Sequence, residues 1–170
     1  MKHLERFKKE LNARPESKSG RFPWYAMSRY ASDYWQEFEK PKIISARFMI
    51  EPLFGYDTGG HYTNDACYIM PTKTPILAGI LNSKLGWWFL SHLTNQVQSN
   101  YSQIHIQYLT KLPIAKGTEQ QRRAIEERVE KILKLKKSGK PTIELEKEID
   151  KIVYEMYGLT QTEIKVVEGK

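Results

Sequence analysis

The side chains that could do chemistry are few, and their spacing argues against most of it. One cysteine, Cys67, and four histidines (His3, His61, His92, His105) are scattered along the 170 residues. No two of them stand at helical or hairpin ligand spacing, so a structural zinc site is not expected and an internal disulfide is excluded. Asp150, Glu163 and Lys165 are the types that a metal-dependent nuclease uses, but such enzymes set the acids on adjoining strands, whereas these positions read as helix and helix cap. Gly59-Gly60 lacks the third glycine and the strand-to-helix setting of a phosphate-cradling loop, and reads as a turn. Trp87-Trp88-Phe89 resembles a base-stacking platform, yet neighbours on a helix point about 100° apart, so at least one must pack into a core.

Hydrogen-bonding side chains on polar segments remain. Ser17 to Arg29 carries Lys18, Arg21 and Arg29; the turn from Asp57 leads to Tyr62 and Asn64; residues 95–103 hold Asn95, Gln96, Gln98, Ser99, Asn100 and Gln103. Arginine and lysine suit guanine or phosphate, and asparagine and glutamine can pair bidentately with adenine. The candidate nucleic-acid contacts are therefore Lys18, Arg21, Arg29, Lys42, Arg47, Tyr62, Asn64, Asn100 and Tyr101.

The formal charge of +7 supports that class and is unevenly placed. Residues 1–47 hold 11 Lys and Arg against 6 Asp and Glu, residues 48–117 hold 4 against 3, and residues 118–170 hold 12 against 11. A basic front favours a polyanionic partner through counterion release. The amino terminus has no apolar signal core and no stretch approaches the length of a membrane span, so a cytoplasmic protein is expected.

The elements that must position these residues can be read from periodicity and caps. Residues 1–20 predict a helix and a flexible connector ending in Ser19-Gly20, and the aromatic region from Arg21 to Trp35 stays unassigned. Lys42 to Ile50 and Tyr62 to Met70 predict two strands about the Asp57–Gly60 turn. Thr74-Pro75 opens one long helix to about His92, on which Leu77, Leu81, Leu85 and Trp88 step by three and four. Residues 94–103 predict a surface loop, and Ile104, Ile106, Tyr108 and Leu112 one more strand. Thr118 with Gln121 caps a helix carrying Ile125, Val129, Ile132 and Leu133 on one face. A second helix with Leu145, Ile149, Ile152, Val153 and Met156 stops at Gly158, and Thr160 with Glu163 opens a short third. The fold class is α+β: a small mixed or antiparallel sheet packed on one long helix, followed by a C-terminal helical hairpin. The expected organisation is 1–20 as a segment or linker, 21–117 as the recognition part and 118–170 as the hairpin.

The order of several short stretches resembles the TaqI-like C-terminal specificity domain of type II (Eco57I-like, type IIG) restriction-modification enzymes. They are Lys40-Pro41-Lys42-Ile43-Ile44; Tyr62 with Asn64; Leu81-Asn82-Ser83-Lys84-Leu85; Lys111-Leu112-Pro113-Ile114; and Glu148 to Tyr154 leading to Tyr157-Gly158-Leu159. The resemblance covers roughly residues 20–165. It implies DNA target recognition for a bacterial adenine N6-methyltransferase whose catalytic domain lies upstream in the same polypeptide, so the partners expected are double-stranded DNA and that domain. The glycine-rich cofactor loop and the Asn-Pro-Pro-Tyr-type motif of the catalytic part do not occur in this chain. No cofactor is expected here, S-adenosylmethionine belonging to the missing domain, and the chain is expected not to be an enzyme, though its parent could also cleave DNA. The motifs themselves look structural, so the resemblance transfers a role without a site. A different class stays open: a protein-interaction module whose hairpin docks a methyltransferase or nuclease partner through Ile125, Val129, Ile132 and Leu133.

The expected absence of a cofactor site is directly measurable. Titration of the chain with S-adenosylmethionine in a calorimeter should give no heat beyond dilution; a one-to-one isotherm would refute the expectation.

Overall fold

A computed structural model describes residues 2–27, 33–97 and 100–169. The chain divides into two compact units, Met1–Gln36 and Glu37–Lys170.

In the first unit three short helices, α1 (Lys2–Glu5), α2 (Lys8–Asn12) and α3 (Pro15–Lys18), replace the single helix expected. The stretch read as a flexible connector is instead a helix terminus. Gly20 takes the left-handed conformation (φ 69°), its N–H donates to Ser17 O (3.1 Å), and Arg21 N–H donates to Glu16 O (3.0 Å). This double reversal satisfies carbonyls that the ending helix would leave bare. The Arg14 guanidinium then donates to Leu11 O (3.1 Å), Trp24 O (2.9 Å) and Ala26 O (2.7 Å), folding the aromatic segment back on the helices.

In the second unit β1 (Lys42–Ala46) is the middle strand of a sheet. It pairs antiparallel with β3 (Phe54–Asp57) on one side and with β4 (Cys67–Pro71) on the other. The expected strand 42–50 divides at Arg47. Its continuation, β2 (Phe48–Met49), pairs with β6 (Tyr101–Gln103), which also pairs with β5 (Gln96–Val97), in a second antiparallel sheet. The sequence reading missed β3. It also placed a strand at 104–112, where the chain instead forms a one-turn helix, α6 (Ile106–Leu109), and a loop where β5 and β6 stand.

The long helix is in fact two, α4 (Ile76–Asn82) and α5 (Lys84–Leu93). Ser83 between them is extended (φ −68°, ψ 157°), donates from Oγ to Ile80 O (2.6 Å) and accepts from Gly86 N–H (3.1 Å), so one hydroxyl ends the first helix and caps the second. The turn is tight enough that a Cβ at Gly86 would lie 2.2 Å from Ile80 O. At the other end the helix begins at Ile76 with Pro75 in the cap position, one residue later than expected, and Thr74 Oγ1 accepts from Ile76 N–H (3.2 Å).

Helix α4 is buried on two sides. Ala78 and Leu81 join Ile43, Met49, Phe54, Leu90, Ile104 and Leu112 in the core under the sheets. Ile80 joins Ile125, Val129, Ile149 and Val153, contributed by α7 (Glu119–Lys137) and α8 (Ile143–Tyr157). These two form the expected hairpin, with α9 (Gln161–Val167) behind it, both capping boxes in place and Gly158 left-handed at the end of α8. The stripe proposed as a docking face is therefore largely internal: Ile125 is fully buried, Val129 is buried, and Ile132 and Leu133 are half-buried against the same core.

Gly79 is where α4 and α7 approach most tightly. Its added Cβ would meet Ile125 Cγ2 at 2.5 Å and Val129 Cγ2 at 3.2 Å. Helix propensity alone favours alanine by about 1 kcal/mol, whereas overpacking a filled core costs about 1–3 kcal/mol. Gly79→Ala should therefore lower the melting temperature; a rise would mean that the contact yields and propensity decides.

Candidate nucleic-acid interface

The polar 95–103 segment acquires a definite face once it is a hairpin. Val97 stands opposite Tyr101, and Gln103 opposite Phe48. Alternation along a strand puts Tyr101 and Gln103 on the same side, so these four side chains share one surface. Phe48, Val97 and Tyr101 remain 47%, 37% and 40% exposed, while Met49 and Ser102 on the opposite side are buried. Asn100, next to the strand, is exposed and takes a left-handed backbone (φ 62°), which asparagine tolerates better than most residues. Gln98 and Ser99 lie outside the described residues.

Arg47 borders this face. Its N–H donates to Ala66 O (3.0 Å) in the first sheet's loop, and its C=O accepts from Ile104 N–H (2.8 Å) beyond β6. The side chain is half-buried, with the guanidinium 5.8 Å above the Tyr68 ring and one donor on Asp65 O (3.3 Å). Its Nε is buried and makes no protein hydrogen bond. Asn64 is exposed near by, but its Oδ1 accepts from Ala66 N–H (3.1 Å), so that oxygen shapes the turn. The structure thus gathers Arg47, Asn64, Asn100 and Tyr101 around the second sheet.

The other candidates lie elsewhere. Lys42 begins β1, at the opposite end from Arg47, and is fully buried. Its ammonium donates to Phe38 O (2.6 Å) and to the Asp57 carboxylate, so it has no charge to offer a phosphate and its assignment as a DNA contact is corrected to a structural one. Sequence gives no sign of this, because a lysine opening a strand usually reaches solvent. Tyr62 stacks on Phe38 (centroids 5.0 Å, planes 17° apart) and donates its hydroxyl to Glu39, whose carboxylate raises the phenol's pKa, with burial adding to the rise. Lys18 and Arg21 are exposed on the first unit, and Arg29 lies outside the described residues. Phe48 and Val97 were missed altogether: each belongs to a two-residue strand, too short for alternation to register.

Three of the motif stretches, those at Leu81–Leu85, Lys111–Ile114 and Glu148–Leu159, hold the frame together. Asn82 holds the edge strand β3 by accepting from Phe54 N–H (3.0 Å) and donating to Phe54 O (2.7 Å). Asp150, buried on α8, accepts from Lys84 N–H (2.8 Å) at the start of α5, and burial raises its carboxyl pKa despite that bond. Tyr157 donates to Pro113 O (2.6 Å) and accepts from Ala115 N–H (3.2 Å). Among the described residues no three His, Cys, Asp or Glu side chains are grouped to hold a metal, and no helix is long and apolar enough to cross a membrane.

Residues 3–114 match the family described as the TaqI-like C-terminal specificity domain. The match takes in the amino-terminal helices that sequence reading set apart and stops short of the helical hairpin, so the Glu148–Leu159 stretch falls outside it. No curated protein matches the sequence.

The Lys42 pocket generates a pH prediction. Burial alone would raise the Asp57 carboxyl, but hydrogen bonds from Lys42 and His61 and the backbone N–H groups of Gly59 and His61 outweigh it and hold the pKa at about 2, against an ordinary 3.8. A depressed carboxyl stabilises the fold above its unfolded pKa and loses that contribution, roughly 2 kcal/mol, as pH falls from about 4 towards 2. Asp57→Asn should leave the buried ammonium without its counter-charge and destabilise by about 3–5 kcal/mol at neutral pH. Thermal melts between pH 7 and 2 should show the variant's deficit shrinking across that acid window; a constant deficit would exclude Asp57 as the titrating group.

Proposed function

Because the chain belongs to the family of TaqI-like C-terminal specificity domains, we propose that it is the DNA target-recognition part of a restriction-modification methyltransferase and that the exposed face of the second sheet meets the DNA. The observation that carries this reading is a surface of Phe48, Val97, Tyr101 and Gln103, beside Asn100 and Arg47, that presents apolar, aromatic and amide groups together outside the core. Amides hydrogen-bond base edges, aromatic rings and methyl groups pack on bases, and an arginine serves guanine or phosphate. Lys18 and Arg21 are candidates for phosphate contacts on the first unit, which holds 8 Lys and Arg against 4 Asp and Glu.

In this reading the chain supplies no catalytic group. An adenine N6-methyltransferase domain of the same polypeptide holds S-adenosylmethionine and the target base, while these residues fix which sequence is presented, in the cytoplasm of a bacterium. The alternative of a hairpin that docks a partner protein is disfavoured, because the stripe it needs packs against Ile80, Ile149 and Val153.

The test uses the methyltransferase-containing protein. Asn100→Ala, Tyr101→Ala and Arg21→Ala are assayed for methylation at the cognate site and at single-base variants, with thermal melts on the same preparations. Loss of a base contact should change discrimination by about 1–3 kcal/mol with little change in melting temperature. Arg21→Ala should instead weaken all sequences alike if that side chain meets phosphate. Unchanged rate and preference in all three would place recognition outside these residues.

A further inference from the structure

The even balance of charge in residues 118–170 conceals a local segregation. From Lys131 to Thr142 the chain carries Lys131, Lys134, Lys136, Lys137 and Lys140, all exposed, and no Asp or Glu. Earlier in α7 the charges are mixed and paired: Arg122 and Arg123 with Glu119, and Arg128 with Glu148 at 2.7 Å. The acids of α8 that could reach the hairpin tip are engaged as well, Glu144 with Lys147 (2.8 Å) and Glu146 with Lys136 (3.2 Å). Among the described residues, no carboxylate lies within ion-pair distance of Lys131, Lys134, Lys137 or Lys140.

Ordinary helix chemistry does not call for this number. The carbonyl end of a helix carries about half a negative charge, which one lysine balances. Lys131, Lys134 and Lys137 follow at three-residue steps and so share one side of α7, where like charges repel. Glu127 and Glu130, four residues before Lys131 and Lys134, offset part of that repulsion, and the surplus of positive charge that remains suits a partner of opposite charge. From Lys131 to Thr142 no large apolar side chain is exposed, the nearest being Ile143. Ile143, 60% exposed, is thus a single apolar side chain beside five lysines, a balance that suits a polyanion better than the apolar-centred contacts of a protein partner or a lipid surface.

One lysine of the tip, Lys136, also lines a groove with residues that lie just beyond the second sheet in sequence. The groove, of about 420 Å³, has Glu51, Pro52 and Leu53 on one wall and Ile132, Leu133 and Lys136 on the other. Of these, Glu51 comes two residues after Met49, where β2 of the second sheet ends. We propose that the tip of the α7–α8 hairpin is a second, sequence-independent DNA surface, whose lysines hold the sugar-phosphate backbone of the duplex beyond the bases met by the second sheet. The inference rests on the reading of that sheet as the DNA-facing surface.

The experiment compares the chain with its Lys134→Gln, Lys137→Gln, Lys140→Gln triple variant by fluorescence anisotropy on a long mixed-sequence duplex over a series of salt concentrations. Three lost phosphate contacts should make the slope of log affinity against log salt shallower by about 2–3. Affinity should fall on every sequence alike, the melting temperature should hold, and the matching lysine-to-arginine variant should bind as the unaltered chain does. Unchanged affinity and slope would overturn the proposal, as would retained duplex binding with lost binding to phosphatidylserine vesicles. Asn100→Ala and Tyr101→Ala separate it from the reading beneath it. If they leave sequence preference intact while the lysine variant loses affinity, the sheet assignment fails and the tip stands.

Discussion

A backbone N–H or C=O that leaves one ladder must find another partner, and at Arg47 this requirement divides the chain between two sheets. The residue's N–H stays with the first sheet through Ala66, while its C=O is taken by Ile104 beyond β6. A continuous apolar strand is thereby cut short, and Phe48 and Met49 are turned over to pair with Gln103 and Ser102. The second sheet that results has two residues in each outer strand and three in the middle one. A sheet so small can bury one face, here Met49 and Ser102, and leaves the other outside. The candidate interface exists because of that division.

What could be read in the sequence, and what could not, follows the length scale of each signal. The α7–α8 hairpin was legible because Thr118, Thr160 and Gly158 punctuate runs long enough for helical periodicity to show. The long helix misled for the opposite reason. Its leucines keep step across Ser83, so the pattern reads as continuous, although a serine hydroxyl bonded to Ile80 and Gly86 ends one helix and starts the next. Residues 95–103 read as a loop because their strands are short and polar, and pairing with Phe48 and Met49 is a long-range contact that no local pattern announces. Among the candidate contacts, the exposure of Asn100 could be read from its polar setting, whereas the burial of Lys42 depends on Asp57 returning from across a turn.

Three of the motif stretches describe one mechanical joint. Asn82 grips β3, Ser83 turns the chain, the Lys84 N–H is met by Asp150, and Tyr157 spans Pro113 and Ala115. None of these groups lies on the exposed face of the second sheet. The joint fixes the frame, and the exposed face takes no part in it.

The Asp150 carboxylate deserves its place in that joint for a further reason. It lies on α8, beyond the residues that match the family, yet its partner Lys84 lies within them, 66 positions away in sequence. Ile80 and Gly79 likewise sit inside the matched span with their packing partners outside it. The unit that could be transplanted between proteins is accordingly longer than the unit that sequence comparison delimits. A graft ending at the family boundary would carry both sheets across while leaving one side of their supporting helix open to water.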